Sequence, residues 1–162
     1  MTRILIVEDD PMVANLNSRL IQTMEGFELA GIASDAKEAL SFLAENTVDL
    51  ILLDIYMPGM NGLEMLSRVR EMKCPVDVLV VSAARDSNRI QSALRNGAVD
   101  YLIKPFDFER LRQALQAYAN RSRLIRSHEK LTQQELDGRI LSKDHSDADA
   151  TQLPKGLDRH TL

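Results

Sequence analysis

Short apolar runs rich in β-branched residues alternate along the chain with stretches whose apolar positions recur every three or four residues. Ile4-Leu5-Ile6-Val7 is the first run, and residues 27–33 form a weaker second. Residues 48–53, 76–81 and 98–103 form the third, fourth and fifth. Runs that stay apolar instead of alternating predict strands covered on both faces. Amphipathic helices are predicted between them. Met12, Leu16, Leu20 and Met24 recur at i+4 behind Asp10-Pro11, a cap followed by proline at the first helical position. Ala36, Ala39, Leu40 and Leu43 follow Asp35, with Glu38 placed for a capping box. Leu63, Leu66 and Val69 follow Asn61-Gly62. Ile90, Ala93 and Leu94 follow Asp86 and stop at Gly97, the expected C′ glycine. Leu111, Ala114, Leu115 and Tyr118 follow Asp107.

Five strand–helix units within residues 1–120 predict an α/β fold: one five-stranded parallel sheet with helices on both faces and right-handed crossovers. Ligands of such sheets bind at the carboxyl ends of the strands, near the point where strand order reverses.

The pattern changes after residue 120. Residues 1–120 carry 12 basic and 17 acidic side chains, whereas residues 121–162 carry 8 and 7. Leu124, His128 and Leu131 continue the stripe of the fifth helix, so a helical linker is expected over 121–141. Residues 142–162 open on a polar, acidic stretch with no apolar anchor and are expected to be a flexible tail.

Composition then narrows the function. A formal charge of −4 argues against a chain that coats nucleic acid through general basicity. Aromatics at 4% with no tryptophan disfavour a base-stacking surface. The single cysteine, Cys74, rules out a disulfide framework and fits a cytoplasmic location. No apolar run approaches the ~20 residues that span a bilayer, so no membrane association is expected.

The chemistry lies at the strand ends. The first strand runs into Glu8-Asp9-Asp10 and the third into Asp54. If those strands are neighbours, their carboxylates crowd together, which is costly unless a cation neutralises them. Hard oxygen ligands with open positions suit Mg²⁺, which keeps waters and recruits phosphate oxygens. A carboxylate beside such an ion is also a nucleophile toward a phosphoryl group. Ser82 at the end of the fourth strand offers a hydroxyl, and Lys104 before Pro105 offers an ammonium for a phosphoryl oxygen. The Lys104–Pro105 bond is a candidate for the cis form. Positioning plus charge stabilisation is what phosphoryl transfer requires.

Taken together, Ile4 to Asp10, Asp54 with Met57-Pro58-Gly59-Met60-Asn61-Gly62, Ser82-Ala83 and Lys104-Pro105-Phe106 resemble the receiver domain of bacterial two-component response regulators. The resemblance covers residues 3 to about 120. It implies a flavodoxin-like strand order, 2-1-3-4-5, and phosphorylation of Asp54 by a sensor histidine kinase. It implies that Asp9 touches Mg²⁺ directly, Glu8 through water, and Tyr56 through its backbone carbonyl. Asp10 is then a helix cap. Ser82 matches the switch hydroxyl and Tyr101 the switch aromatic. Tyr56 and Ala84 occupy the positions that tune phosphoryl lifetime, and neither positions water, so slow self-hydrolysis is expected. Phosphorylation would drive pairing of two copies.

The tail narrows the resemblance further. Residues 130–137 (Lys130 to Asp137) and 153–157 (Leu153-Pro154-Lys155-Gly156-Leu157) resemble the linker of regulators that answer citrate or C4-dicarboxylate sensors. There the second stretch opens a helix-turn-helix domain that binds promoter DNA. This chain is expected to hold only the start of such a domain. Two other functions compete. One is a stand-alone receiver acting through protein contacts. The other is a Mg²⁺-dependent phosphohydrolase of the haloacid dehalogenase type, which needs a second aspartate where Tyr56 stands.

Overall fold

A computed structural model describes residues 1–83 and 87–141, and the side chains of all of these except 129–141. Ten elements alternate: β1 (Thr2–Val7), α1 (Pro11–Thr23), β2 (Phe27–Ala33), α2 (Ala36–Glu45), β3 (Leu50–Asp54), α3 (Gly62–Glu71), β4 (Asp77–Ala83), α4 (Ser87–Arg95), β5 (Asp100–Lys104) and α5 (Phe108–Leu141). The strands form one parallel sheet in the order β2-β1-β3-β4-β5, the expected flavodoxin-like arrangement. The order reverses between β1 and β3, whose registers pair Val7 with Leu53. Glu8 and Asp54 each follow these paired residues, so two acidic strand ends emerge side by side.

The apolar strand runs are buried on both sides, as continuous hydrophobicity requires. Alternate residues feed two cores. Leu5, Val7, Ile51, Leu53 and Val80 face one, with α2 and α3 residues such as Ala39 and Leu66. Ile4, Ile6, Leu50, Leu52 and Leu79 face the other, with Ile21 from α1 and Leu111, Ala114 and Leu115 from α5. These two cores bracket the sheet so tightly that the strand ends are held as rigid mounts.

Local signals set most helix starts. Asp10 accepts from Met12 N–H at 2.9 Å with Pro11 at the first helical position. Asp35 accepts from Glu38 N–H at 2.8 Å, and the Glu38 side chain accepts from Ser34 N–H at 2.6 Å. Asn61 and Glu64 form a full capping box. Asp107 accepts from Arg110 N–H at 2.9 Å. Gly97 ends the α4 turn at φ 92°. The expected Asp86 cap of α4 lies outside the described residues, as do Ala84 and the tail 142–162.

One helical face differs from its expectation. The i+4 stripe Met12, Leu16, Leu20, Met24 does not face the core as a unit. Met12 is 71% exposed and Leu16 is also exposed, while Ala14, Asn17, Ser18, Leu20 and Ile21 are buried. A strict four-residue spacing drifts around a helix with 3.6 residues per turn, so only its C-terminal half meets the sheet. Strand bounds also shift: β4 and β5 run on to Ala83 and Lys104.

The chain divides into two units, Met1–Ala119 and Asn120–Leu162. The first holds the sheet. In the second, the helical backbone is described to Leu141, Leu124 and Ile125 are exposed, and Arg123 donates to Asn120 Oδ1 at 2.5 Å. Among the described residues no helix is long and apolar enough to cross a membrane.

Candidate functional site

The strand ends converge as their spacing predicts. Carboxylate oxygens of Glu8, Asp9 and Asp54 lie within 4.8 Å of one another. Asp54 closes β3 and is 3% exposed, Glu8 follows β1 and is 5% exposed, and Asp9 is exposed. Lys104, the last residue of β5, reaches across β4 to this cluster. Its Nζ donates to Asp54 Oδ2 at 3.1 Å and stands 3.8 Å from Glu8 Oε1. The Lys104–Pro105 bond is cis, the form for which the sequence made it a candidate.

The remaining polar contacts order the carboxylates. Tyr56 N–H donates to Asp54 Oδ1 at 3.0 Å, so both oxygens of Asp54 accept hydrogen bonds. Asp10 N–H donates to Glu8 Oε2 at 3.1 Å. Asp10 itself is occupied as the α1 cap. Behind Asp54, Gly62 N–H donates to Ile55 O at 2.9 Å, bringing the start of α3 against the backbone of the site.

Crowding shows in the electrostatics. Burial pushes the Glu8 carboxyl up to about 7, and the charge of Asp54 and a hydrogen bond with it push the same way. The Asp10 N–H and the Lys104 ammonium oppose that rise without cancelling it. For Lys104, burial works to lower the ammonium pKa, but the hydrogen bond to Asp54 and the charges of Asp54, Glu8 and Asp9 carry it above its ordinary value. With Glu8, Asp9 and Asp54 all ionised, three carboxylates would face one ammonium, a net negative pocket of the kind that favours a divalent cation. The donors are all carboxylate oxygens, converging from two strand ends, and fit a hard ion such as Mg²⁺ that keeps part of its water shell.

Ser82 sits at the same sheet end. It follows Val81, which pairs with Asp54, and is 1% exposed, with Oγ 3.4 Å from Ala83 O. Tyr101 stands apart from the carboxylates, exposed on β5 opposite Val80. Met57 and Met60 pack on the core as loop residues. Cys74 is half-buried against the same core and has no disulfide partner.

Sequence reasoning missed one neighbour. The Arg89 guanidinium carbon, from the third residue of α4, lies 4.7 Å from the centroid of the Tyr56 ring. A single arginine on a polar helix face carries no local signal of such a contact, which depends on how α4 is seated.

The sequence profile of the response regulator receiver domain matches residues 4–116. The transcriptional regulatory protein MalR of Bacillus subtilis is 50% identical over 162 residues, all of this chain and 68% of that protein. A probable C4-dicarboxylate response regulator, DctR of the same species, is 40% identical over 160 residues, covering 99% of this chain and 70% of the relative. Among solved structures, the response regulator domain of Thermotoga maritima CheB superposes with a TM-score of 0.67 at 30% identity, covering 75% of this chain and 95% of that one. With its sheet order and its acidic strand ends, the chain belongs to the response regulator receiver family.

Proposed function

We propose that Asp54 is the phosphoacceptor of this receiver and that Glu8, Asp9 and the Tyr56 carbonyl hold Mg²⁺ beside it. The observation that carries this reading is the convergence of three carboxylates with one lysine at the sheet's reversal point. In the transfer, an Asp54 oxygen bonds to phosphorus as the phosphorus–nitrogen bond of a kinase phosphohistidine breaks. The imidazole leaves with the bonding pair and is protonated from solvent. Bound Mg²⁺ supplies charge neutralisation for the phosphoryl oxygens. The Tyr56 N–H steadies the Asp54 carboxylate, and its bond to one oxygen leaves the other facing Lys104. Lys104 and the Ser82 hydroxyl then take phosphoryl oxygens as they become negative.

The new charge draws Ser82 and Lys104 inward, and Tyr101 turns with them. That movement biases the face built by α4, β5 and α5, where Leu94, Tyr101 and Phe108 are exposed, toward pairing with a second copy. The response regulator acts in the cytoplasm and controls transcription. DNA contact is assigned to the part of such regulators that follows residues 1–162, and the stimulus to a sensor kinase for a C4-dicarboxylate or a related acid. Receiver domains are signalling proteins, and the only turnover assigned to this one is slow loss of the phosphoryl group from Asp54.

Intact mass after incubation with acetyl phosphate and Mg²⁺ tests the site. The native chain is expected to gain one phosphoryl group, and Asp54→Asn none. A phosphoryl group retained in Asp54→Asn would overturn the assignment.

A further inference from the structure

Gly62 and Arg70 stand near opposite ends of α3, eight positions or about 12 Å apart along the helix. The Gly62 end is pressed against the backbone that carries Asp54. Its N–H donates to Ile55 O at 2.9 Å, and a Cβ built on it would lie 2.6 Å from Ile55 Cα and 2.8 Å from Asp54 O. The Arg70 end grips other segments. Its Nε donates to Asn96 O and its Nη2 to Gly97 O, both at 3.2 Å, and its Nη1 donates to Val76 O at 2.8 Å. Asn96 and Gly97 lie in the turn between α4 and β5, and Val76 directly precedes β4. Gly97 comes so near that a Cβ built on it would lie 3.3 Å from Arg70 Nε. Among the described residues no carboxylate is within salt-bridge distance of Arg70, so these carbonyls are what its rigid fork engages. Between the two ends Met65, Leu66 and Val69 are fully buried, and the Asn61–Glu64 capping box ties the first turn to the rest of the helix. A helix packed this closely transmits strain along its length.

We propose that α3 is a rod that carries a change at Asp54 to the turn between α4 and β5, with Gly62 as its input and Arg70 as its output. This rests on the reading of Asp54 as phosphoacceptor, and it gives the α4–β5 turn a connection to the site separate from Ser82 and Lys104. A phosphoryl group adds volume and charge to a side chain that is buried and held at both carboxylate oxygens. Part of the resulting strain falls on the backbone of Asp54 and Ile55, where Gly62 has no side chain that could give way. Arg70 is a positioning residue: its fork converts a small shift of α3 into a shift of Asn96 and Gly97. Both of these residues are exposed, so their carbonyls have two discrete states, seated in the fork or turned to water.

The test is backbone amide hydrogen exchange of the full chain with Mg²⁺, with and without acetyl phosphate, at a phosphoryl occupancy matched by intact mass. In the native chain phosphorylation is expected to change exchange at residues 96–99 by about two- to thirtyfold. Arg70→Met keeps the apolar stem and loses the donors. It is expected to take up phosphoryl as the native chain does and to keep the native response at Ser82 and Ala83, while the ratio at 96–99 falls close to one. A purely structural Arg70 would instead speed exchange at the turn equally in both states and leave that ratio at its native value. Arg70→Lys, which keeps the charge without the fork, is expected to behave like Arg70→Met and replaces it should that variant fail to fold. A native ratio at 96–99 in the variants, or no change at 96–99 on phosphorylation of the native chain, overturns the proposal while leaving Asp54 as the acceptor. Failure of the native chain to take up phosphoryl at Asp54 overturns both.

Discussion

Lys104 Nζ lies 3.1 Å from Asp54 Oδ2, although the two residues are 50 positions apart and their strands are separated by β4. The Lys104 side chain is 38% exposed while its partner is buried, so the pair sits at the boundary between solvent and core. Among the described residues, Lys104 is the cation paired with Glu8 and Asp54, and the charge of Asp9 acts on it as well. Lys104→Met is therefore expected to lower the stability of the metal-free protein by about 1 kcal/mol, the buried-pair penalty discounted for exposure. Saturating Mg²⁺ is expected to remove most of the difference. Thermal unfolding of both proteins, in EDTA and in Mg²⁺, checks this; an equal gap in both conditions would contradict it.

Glu8 gives the site a pH dependence. Its carboxyl titrates near 4.5 when fully hydrated, as in the unfolded chain, and near 7 in the fold, chiefly because it is buried. Between those values the folded chain keeps a proton that the unfolded chain has released. Stability from this group is thus present in full below the unfolded value and is lost as pH rises through about 7. Glu8→Gln, which stays neutral, is expected to stabilise the metal-free protein at pH 8 by about 1 kcal/mol or more. At pH 5 the same change is expected to have little effect. Denaturant unfolding at both pH values decides it, and a gain of equal size at each would count against a raised carboxyl.

The same proton competes with metal. If Glu8 helps to hold Mg²⁺ as proposed, it does so ionised, and binding would release the proton that burial favours. The affinity for Mg²⁺ is expected to rise by up to about tenfold per pH unit below the Glu8 midpoint and to level off above it. Calorimetric titrations in buffers of different ionisation enthalpy measure the proton release directly. Affinity that is flat from pH 6 to pH 8 would show that Glu8 does not take part.

Away from the site, Tyr118 on α5 is buried and its hydroxyl donates to Asp77 Oδ2 at 2.6 Å. Asp77 starts β4, so this bond ties α5 to the amino-terminal edge of the sheet, opposite the carboxylates. A bond to an ionised acceptor is worth about 1.5–3 kcal/mol. Tyr118→Phe is expected to lower stability by about 1–2 kcal/mol while Asp54 is phosphorylated at the native rate. Loss of phosphorylation in this variant would mean that the edge contact governs the site.

Much of this was legible in the order of residues because strand ends in a parallel α/β sheet are both local and topological features. The apolar runs locate Glu8, Asp54, Ser82 and Lys104 at the ends of their strands, and one parallel sheet brings those ends together. Cap chemistry at Asp10, Asp35, Asn61 and Asp107 is equally local. What was not legible depends on how helices seat on the sheet. Asn17 and Ser18 are buried on α1 where Met12 and Leu16 looked like the apolar face. Arg70 donates to Val76 O, Asn96 O and Gly97 O at 2.8, 3.2 and 3.2 Å, stapling α3 to the start of β4 and to the turn before β5. Arg89 finds Tyr56. Each of these is an arginine or small polar residue whose partner is set by tertiary packing, with no periodicity to mark it.

Gly62 provides the most demanding test of how the backbone supports Asp54. It opens α3 right after the Asn61 cap, and a Cβ built on it would lie 2.6 Å from Ile55 Cα and 2.8 Å from Asp54 O. Both atoms are backbone, so neither can swing away as a side chain would. Gly62→Ala must push α3 off the loop or displace the chain that carries Asp54. Glycine-to-alanine changes in open helices gain up to about 1 kcal/mol from helix propensity. Here overpacking against backbone is expected to outweigh that gain and destabilise by about 1–3 kcal/mol. Because the strain falls on Asp54 and the residue after it, phosphorylation by acetyl phosphate is expected to slow as well. Gly59→Ala makes the control: its φ of 79° strains a side chain, but the new Cβ meets nothing within 4 Å. It is expected to lose stability and leave phosphorylation of the folded protein at the native rate. Rates measured well below each variant's melting temperature separate the two; equal slowing in both would show that loop strain alone, without the contact behind Asp54, controls the site.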